Sequence, residues 1–459
     1  MNKTEKLGKE SIGKLMLSLS VPAITGQIVN MLYNIVDRIY IGHIPEIGGT
    51  ALAGVGLTLP VIIIISAFSS LIGMGGAPHA AIRLGENKKD QAESILGNCF
   101  SLLLLISVIL TAFFLHFGEK LLWLFGASEK TINYGLDYLN IYVIGTVFVQ
   151  LTLGLNPFIT TQGYAKTGML TVIIGAVTNI ILAPIFIFVF NMGVKGAAVA
   201  TVISQGVSAI WVITFLSRNK PVLKLRKKFM RLKGSVIAPV LLLGVSPFIM
   251  SSTEGLLLIA FNSSLQKYGG DIAVGAMTIL SSLMQLLMLP LRGLTQGAQP
   301  IISYNYGAKN NDRVKKAFKV LLLSSIGYAL LFWTVLMSFP RLFVSIFNNE
   351  DMELINYTVW ALRIYFSASF VLSVQNSCQQ TFVAVGQAKI SVFLALLRKI
   401  ILLIPLIYIL PAFFENKIFA VFLAEPVSDT IAATVTATIF AYRFKKILKE
   451  NKVQTQKIS

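Results

Sequence analysis

Apolar residues fill this chain in blocks of about 20 or more, separated by short polar punctuation. Twelve such runs can be counted, at about 15–41, 52–81, 94–117, 133–161, 168–190, 194–217, 236–265, 271–303, 318–339, 356–385, 389–411 and 417–440. A run of this length matches the ~20 residues a helix needs to cross a hydrocarbon core. Backbone groups in lipid must be bonded within their own segment, so each run is predicted to be a membrane-spanning helix. The expected fold is an all-α polytopic membrane protein with twelve transmembrane helices. Composition points the same way: 13% of residues are charged and the mean hydropathy is +0.74, whereas soluble domains carry about 25% charged residues. The first 14 residues, MNKTEKLGKESIGK, form a charged arm with no small-residue cleavage site ahead of the first run.

The net charge of +19 would suit a nucleic-acid partner only if the basic residues clustered on one soluble face. Instead they follow the loops. With the ends numbered alternately from inside, the arm, the even-to-odd loops and the C-terminal tail hold 28 of the 39 Lys and Arg, and the opposite loops hold six. This is the positive-inside bias, and it predicts both termini in the cytoplasm of a bacterial inner membrane. The densest stretch, 218–235, has eight basic residues and no acid, and is expected to be a solvated linker touching anionic lipid. The implied organisation is an arm (1–14), an N-lobe of six helices (15–217), the linker (218–235), a C-lobe of six helices (236–440) and a tail (441–459). Cys99 and Cys378 lie in different runs and three histidines are scattered, so neither a disulfide nor a metal site is expected.

The two halves repeat. GGAPHAAIRLGENKKD (75–90) and GAQPIISYNYGAKNND (297–312) share Gly75/Gly297, Pro78/Pro300, Gly85/Gly307 and Asp90/Asp312 at one offset of 222. GYAK (163–166) matches GQAK (386–389) at 223, and Pro22 meets Pro247 at 225. Each half has an even number of helices, so the lobes should be related by a pseudo-two-fold axis along the membrane normal, with substrate between them. Prolines recur in step, as at Pro184 and Pro405, where a lost backbone donor permits a kink.

Ionisable residues inside such runs cost roughly 2.5–3.5 kcal/mol at mid-membrane and mark function by default. Counting 1.5 Å per residue puts Glu254 about 20 Å and Asp37 about 30 Å from the inner edge. Asp37 can therefore either serve an internal site or reach water at the outer interface with Arg38. Glu254 has no cation within a helical turn in the sequence, and either meets substrate or is hydrogen-bonded in a packing seam. Glu425 and Asp429 lie at i, i+4 on one face and repel unless countered; Arg398 and Lys399, at similar depth on the preceding run, can neutralise them. A structural charge cluster and a transport role are both open. The corresponding first-half stretch, VISQG, has Gln205 in place of Asp429, so the halves differ chemically. Asn179 and Thr201 add neutral polar groups that, with Asp37, would make one spot suited to a proton or Na⁺.

The combination of GLTQGAQPIISYNYGAKNNDRVKKA (293–317), NMLYNIVDRIYIG followed by ALAGVGL, NPFITTQGYAKTGM (156–169), GAAVAT (196–201) and EPVSD resembles the multidrug and toxic compound extrusion (MATE) family of cation antiporters, in its bacterial branch. The resemblance runs from about Gly13 to Arg443. It implies a V-shaped pair of lobes, a central cavity open to one side at a time, and export of amphipathic, often cationic drugs in exchange for H⁺ or Na⁺. By the same resemblance the coupling residues fall on Asp37, Asn179 and Thr201, a bending proline of the first helix on Pro22, and a seventh-helix acid on Glu254. Three positions depart from family patterns: Ala183 stands where some members have a second acid, SFVLSVQNSCQQ lacks a tenth-helix aspartate, and Thr160 replaces a common arginine.

The expected function is secondary active multidrug export by a monomer in the lipid bilayer, with no cofactor beyond the coupling ion, no enzymatic activity and no nucleic-acid partner. Tyr33, Phe158, Met250, Met284 and Glu254 are expected to line the substrate cavity, where aromatic and Met surfaces favour broad selection. The alternative is a flippase for a lipid-linked saccharide in the same superfamily. It usually has extra helices and a strongly basic cavity, against which twelve runs and the carboxylates Glu254, Glu425 and Asp429 argue.

Overall fold

The computed structural model describes residues 3–218, 221–347 and 351–456, so residues 219–220 of the linker and 457–459 of the tail lie outside the description. It is helical throughout, with no strand among the described residues. The spanning helices are α1 (Ile12–Gly42), α2 (Leu59–Gly85), α3 (Lys89–Leu124), α4 (Ile132–Ile144 and Thr146–Thr160, bent by 57°), α5 (Ala165–Val189), α6 (Gly193–Ser217), α7 (234–269), α8 (271–307), α9 (Asn311–Ser338), α10 (Met352–Tyr365 and Ser369–Ala384, bent by 48°), α11 (Ala388–Ala412) and α12 (Lys417–Gln456). The apolar run at 52–81 is shorter as a span than its hydropathy suggests, because a separate helix, Gly48–Gly56, precedes α2.

Residues 234–307 form one helical path broken only at Gly270, where φ is 65° and ψ is −159°. A straight helix of 74 residues would be about 111 Å long. Arg292 and Glu254, 38 residues apart, are nevertheless 3.4 Å apart. The path therefore folds back on itself at Gly270 and makes two spans, giving twelve. The duplicated prolines sit beside matching irregularities: α5 ends in a π-helical turn, Ile185–Val189, directly after Pro184, and α11 contains one, Leu397–Leu403, just before Pro405. GYAK and GQAK recur for a backbone reason, since Gly163 and Gly386 both take the left-handed conformation (φ 87° and 75°) that a side chain resists.

Each lobe has its own apolar core. One outer N-lobe core includes Phe114, Leu139, Tyr142 and Ile187, and the largest C-lobe core includes Phe261, Leu287, Phe366 and Phe422. The lobes meet along the face that carries the arm, the linker and the basic loops, here called the basic face. The repeated glycines make that seam. A Cβ on Gly85 would run into the backbone at Tyr304, and a Cβ on Gly307 into the backbone at Ile82. Residues 82 and 304, like 85 and 307, are repeat mates at offset 222, so the contact reads the same from either lobe. Gly75 against Val240 and Gly244, and Gly297 against Ser20, extend the same tight approach deeper. Gln27 and Gln296 (3.3 Å) and the rings of Phe68 and Phe248 (5.1 Å) lie further along it.

Beyond that level, Asn30 and Asn34 of α1 and Glu254 of α7 are exposed in the middle of apolar spans. Polar groups at this depth are expected to face water rather than lipid, and these three lie on the side of the lobes away from the basic face. α1 runs as one helix through Pro22, which is buried.

Two terminal expectations change. The linker is not a free solvated segment: Leu223 is fully buried, its N–H donates to Gln162 Oε1 (2.8 Å), and Arg226 pairs with the buried Glu93 at 2.9 Å. Asn98 accepts from the Lys233 N–H (2.7 Å), and Ser101 donates to the Met230 carbonyl (2.6 Å). α3 thus holds the linker through polar groups that a composition-based reading passes over. The tail likewise continues α12 to Gln456, with Phe440, Phe444 and Leu448 buried and Asn451 donating to the Tyr306 carbonyl (2.9 Å).

Candidate functional site

Asp37 lies near the C-terminal end of α1, yet it is buried at 9% exposure and one of its carboxylate oxygens has no hydrogen-bond partner. The local reason is helical phase. Asp37 falls on the face that also buries Ile41, whereas Arg38, about 100° round the helix, is exposed and is no same-face partner. The outer-interface alternative, in which Asp37 shares water with Arg38, does not match this placement. Facing Asp37 are Tyr33 on its own helix and Tyr138 on α4, both within reach of the Thr201 hydroxyl. Asn179 donates to the same hydroxyl at 3.1 Å, and its own side-chain oxygen has no partner. Tyr138 stacks on Tyr142 at 6.0 Å. α1, α4, α5 and α6 therefore bring Asp37, Asn179, Thr201 and two tyrosines into one N-lobe pocket that is rich in oxygen and holds a carboxylate that forms no ion pair among the described residues.

The C-lobe is built differently. Arg398 donates through Nε to Asp429 (2.7 Å) and through an Nη to Glu425 (3.0 Å), so one guanidinium answers both carboxylates. Lys399 does not join them. It donates to Glu254 (2.9 Å) and to the Met250 carbonyl (2.6 Å), and Arg292 approaches the same Glu254 oxygen at 3.4 Å. The π-helical turn of α11 places these two adjacent cations on diverging partners. Three cations face three carboxylates, and the set is neutral. Glu254 is thus not the cation-free acid that its sequence neighbours suggest: its partners arrive from α8 and α11, 38 and 145 residues away. Arg292 was missed in the sequence, although an arginine inside an apolar run was itself a signal.

The residues expected to line a substrate cavity separate. Phe158 does not line it; the ring is fully buried in the N-lobe, wedged beside Gly76, because α4 turns that face toward α2 and α3. Met284 packs against the C-lobe core. Tyr33 is half-buried at the N-lobe pocket. Met250 lines a small C-lobe cleft of about 20 Å³ with Gln375, Gln379, Arg398 and Lys399, its sulfur 3.3 Å from Gln379 Nε2.

The comparisons return a two-lobe helical family. The MatE family pattern matches residues 22–185 and again 247–409, once in each lobe. The chain belongs to the MatE family. Among curated MatE-type relatives, the multidrug export protein MepA of Staphylococcus haemolyticus is 26% identical over 94% of both chains, and MepA of Staphylococcus aureus strain MSSA476 is 25% identical over 91% of this chain and 92% of its own. Among solved structures, the MATE multidrug transporter DinF-BH, solved as a ligand complex, is 35% identical, covers 98% of this chain and 99% of that one, and superposes with a TM-score of 0.89. A MATE structure in the bent conformation gives 0.92 at 21% identity, which speaks for the fold alone. MatE proteins of this kind are multi-pass bacterial membrane transporters for multidrug efflux, and the saccharide flippase is the weaker alternative.

Proposed function

We propose that this chain exports amphipathic, often cationic compounds across the bacterial inner membrane in exchange for H⁺ or Na⁺, with the basic face in the cytoplasm. The single observation that carries the reading is the N-lobe pocket: a buried carboxylate that forms no ion pair among the described residues, near a second unpartnered buried oxygen on Asn179. Buried polar atoms are nearly always satisfied, and a carboxylate in low dielectric without a cation binds a proton or a small cation to become so. Asp37 is the group whose charge changes, Asn179 fixes the Thr201 hydroxyl, and Thr201 in turn approaches Tyr33 and Tyr138, which close the pocket beside Asp37. A cleft between the lobes, open away from the basic face, gives a drug its exit. Closing that cleft and opening the glycine seam would complete alternating access between the lobes.

Glu254 takes a different role from the one its sequence context suggests. Its charge is matched by Lys399 and Arg292, so it biases the cleft wall weakly, and the carboxylate without an ion pair lies in the N-lobe. Relatives described as multidrug export proteins, and a multidrug transporter solved with a ligand bound, support drugs as the substrate class. The test is efflux of a fluorescent cation from proteoliposomes under imposed pH or Na⁺ gradients. Asp37→Asn should fold and reconstitute normally but lose gradient-driven efflux, by about 10²-fold or more. Wild-type rates in that variant would refute the assignment.

A further inference from the structure

The segment 293–317 is the most distinctive stretch of the sequence, and ion coupling uses none of it. Its glycines make the inter-lobe seam, but Asn305 and Arg313 do not touch that seam. They hold the N-terminal arm. The arm folds as a short helix, Lys3–Lys9, with Thr4 and Leu7 buried. Arg313 donates through an Nη to the carbonyls of Leu7 (3.0 Å) and Glu10 (2.7 Å), and through Nε to Asn305 Oδ1 (3.0 Å). Asn305 Nδ2 donates to the Leu7 carbonyl as well, at 2.8 Å. These are the carbonyls a helix leaves unpaired at its C-terminal end, where a cation is favoured. Gly8 lies against the Tyr304 ring, where a Cβ would come within 3.1 Å.

The other end of the same helix rests on the N-lobe. Thr4 donates to the Gln162 carbonyl (3.2 Å) and the Lys3 ammonium sits 4.6 Å above the Tyr164 ring. Seven residues therefore bridge the α4–α5 turn of one lobe and the α8–α9 turn of the other. The repeat does not supply this platform twice: the positions 222 residues before Asn305 and Arg313 are Arg83 and Gln91, and Arg83 pairs instead with Glu86 at 2.7 Å.

We propose that Asn305 and Arg313 are gating residues: they hold the N-terminal helix as a strap across the two lobes, and the seam on the basic face opens only when that strap leaves its C-lobe seat. The proposal rests on the alternating-access reading above. Hydrogen bonds to a charged donor are the strong kind, so removing the Arg313 set should raise the population open on the basic face about tenfold or more.

Lys166 and Lys389 are exposed repeat mates at the starts of α5 and α11, one per lobe. Spin labels on Lys166→Cys and Lys389→Cys report their separation in nanodiscs, since Cys99 and Cys378 are buried. Arg313→Gln and a deletion of residues 2–9 should enlarge the long-distance population about tenfold, with Arg313→Lys restoring part of the closed state. A Gly8→Cys, Tyr304→Cys disulfide should abolish that population and stop efflux, and a reducing agent should return both. Populations unchanged within about twofold in every strap variant, or an oxidised staple that transports at the reduced rate, would overturn the proposal while leaving alternating access standing. Efflux without any long-distance population, in the parent or the variants, would overturn both. If the deletion fails to fold, the staple decides the matter.

Discussion

Replacing Asp429 with asparagine should cost the protein about 3 kcal/mol of stability. The side chains of Asp429, Glu425 and Arg398 are 1%, 5% and 12% exposed, and breaking a buried ion pair costs roughly 3–5 kcal/mol because the remaining charge is left uncompensated. The lower end applies here, since Arg398 keeps Glu425 at 3.0 Å. Arg398→Met should fall at the upper end, about 5 kcal/mol, because it strips both carboxylates of their partner while they stand at i, i+4. The double variant should then be less damaged than the sum by roughly 1–3 kcal/mol, as deleting Asp429 relieves the repulsion that Arg398→Met exposes. Equilibrium unfolding in detergent, run as a double-mutant cycle with pH-gradient efflux alongside, measures this coupling. Additive effects within about 0.5 kcal/mol, or single variants costing under about 1 kcal/mol, would refute the reasoning and put these charges in water.

Gly85→Val and Gly307→Val should each prevent closure on the basic face and lower the yield of inter-lobe cross-links there, because both positions meet backbone that cannot rotate away; unaffected cross-linking would mean the seam is looser than described. Glu93→Ala should free the linker from α3 and speed proteolysis at Lys227 and Lys228 about tenfold or more, as Arg226 loses its 2.9 Å partner; wild-type digestion rates would show that Asn98 and Ser101 suffice. Glu254→Gln leaves the C-lobe charge set at net +1 and should weaken competition by cationic dyes several-fold more than by neutral ones, a modest effect because Glu254 and Arg292 are half-exposed. Equal losses for both classes would assign Glu254 to packing.

Twelve spans, the division into lobes and the repeat axis were legible because hydropathy and internal duplication are local or strictly periodic signals. The N-lobe pocket could be anticipated from Asp37 because a mid-span carboxylate is costly wherever it points. Its burial could not, since the phase of α1 is set by neighbours that the sequence places far along the chain, up to 274 residues away at Leu294. Glu254 shows the limit from the other side: its two cationic partners sit on α8 and α11, so no window around it reveals them. Phe158 fails for a related reason, as an aromatic in an apolar span reads alike whether it faces a core or a cavity. The linker was misjudged because eight basic residues dominate its composition, while its seat depends on Glu93, Asn98, Ser101 and Gln162, single polar groups in other segments.

The arm's seat on the eighth and ninth helices has a consequence for biosynthesis. The segment that leads the N-lobe, residues 3–10, emerges from the ribosome first, but its seat at Asn305 and Arg313 is made some 300 residues later. At roughly 5–20 residues per second, that is a wait of about 15–60 s. Throughout that interval the Leu7 and Glu10 carbonyls lack the Arg313 guanidinium that later caps them, and the N-lobe's glycine seam has no second lobe to close on. The arm can meet its N-lobe seat at Gln162 and Tyr164 early, but its C-lobe seat comes among the last, and a chain interrupted before the ninth helix leaves the seam exposed for quality control to recognise.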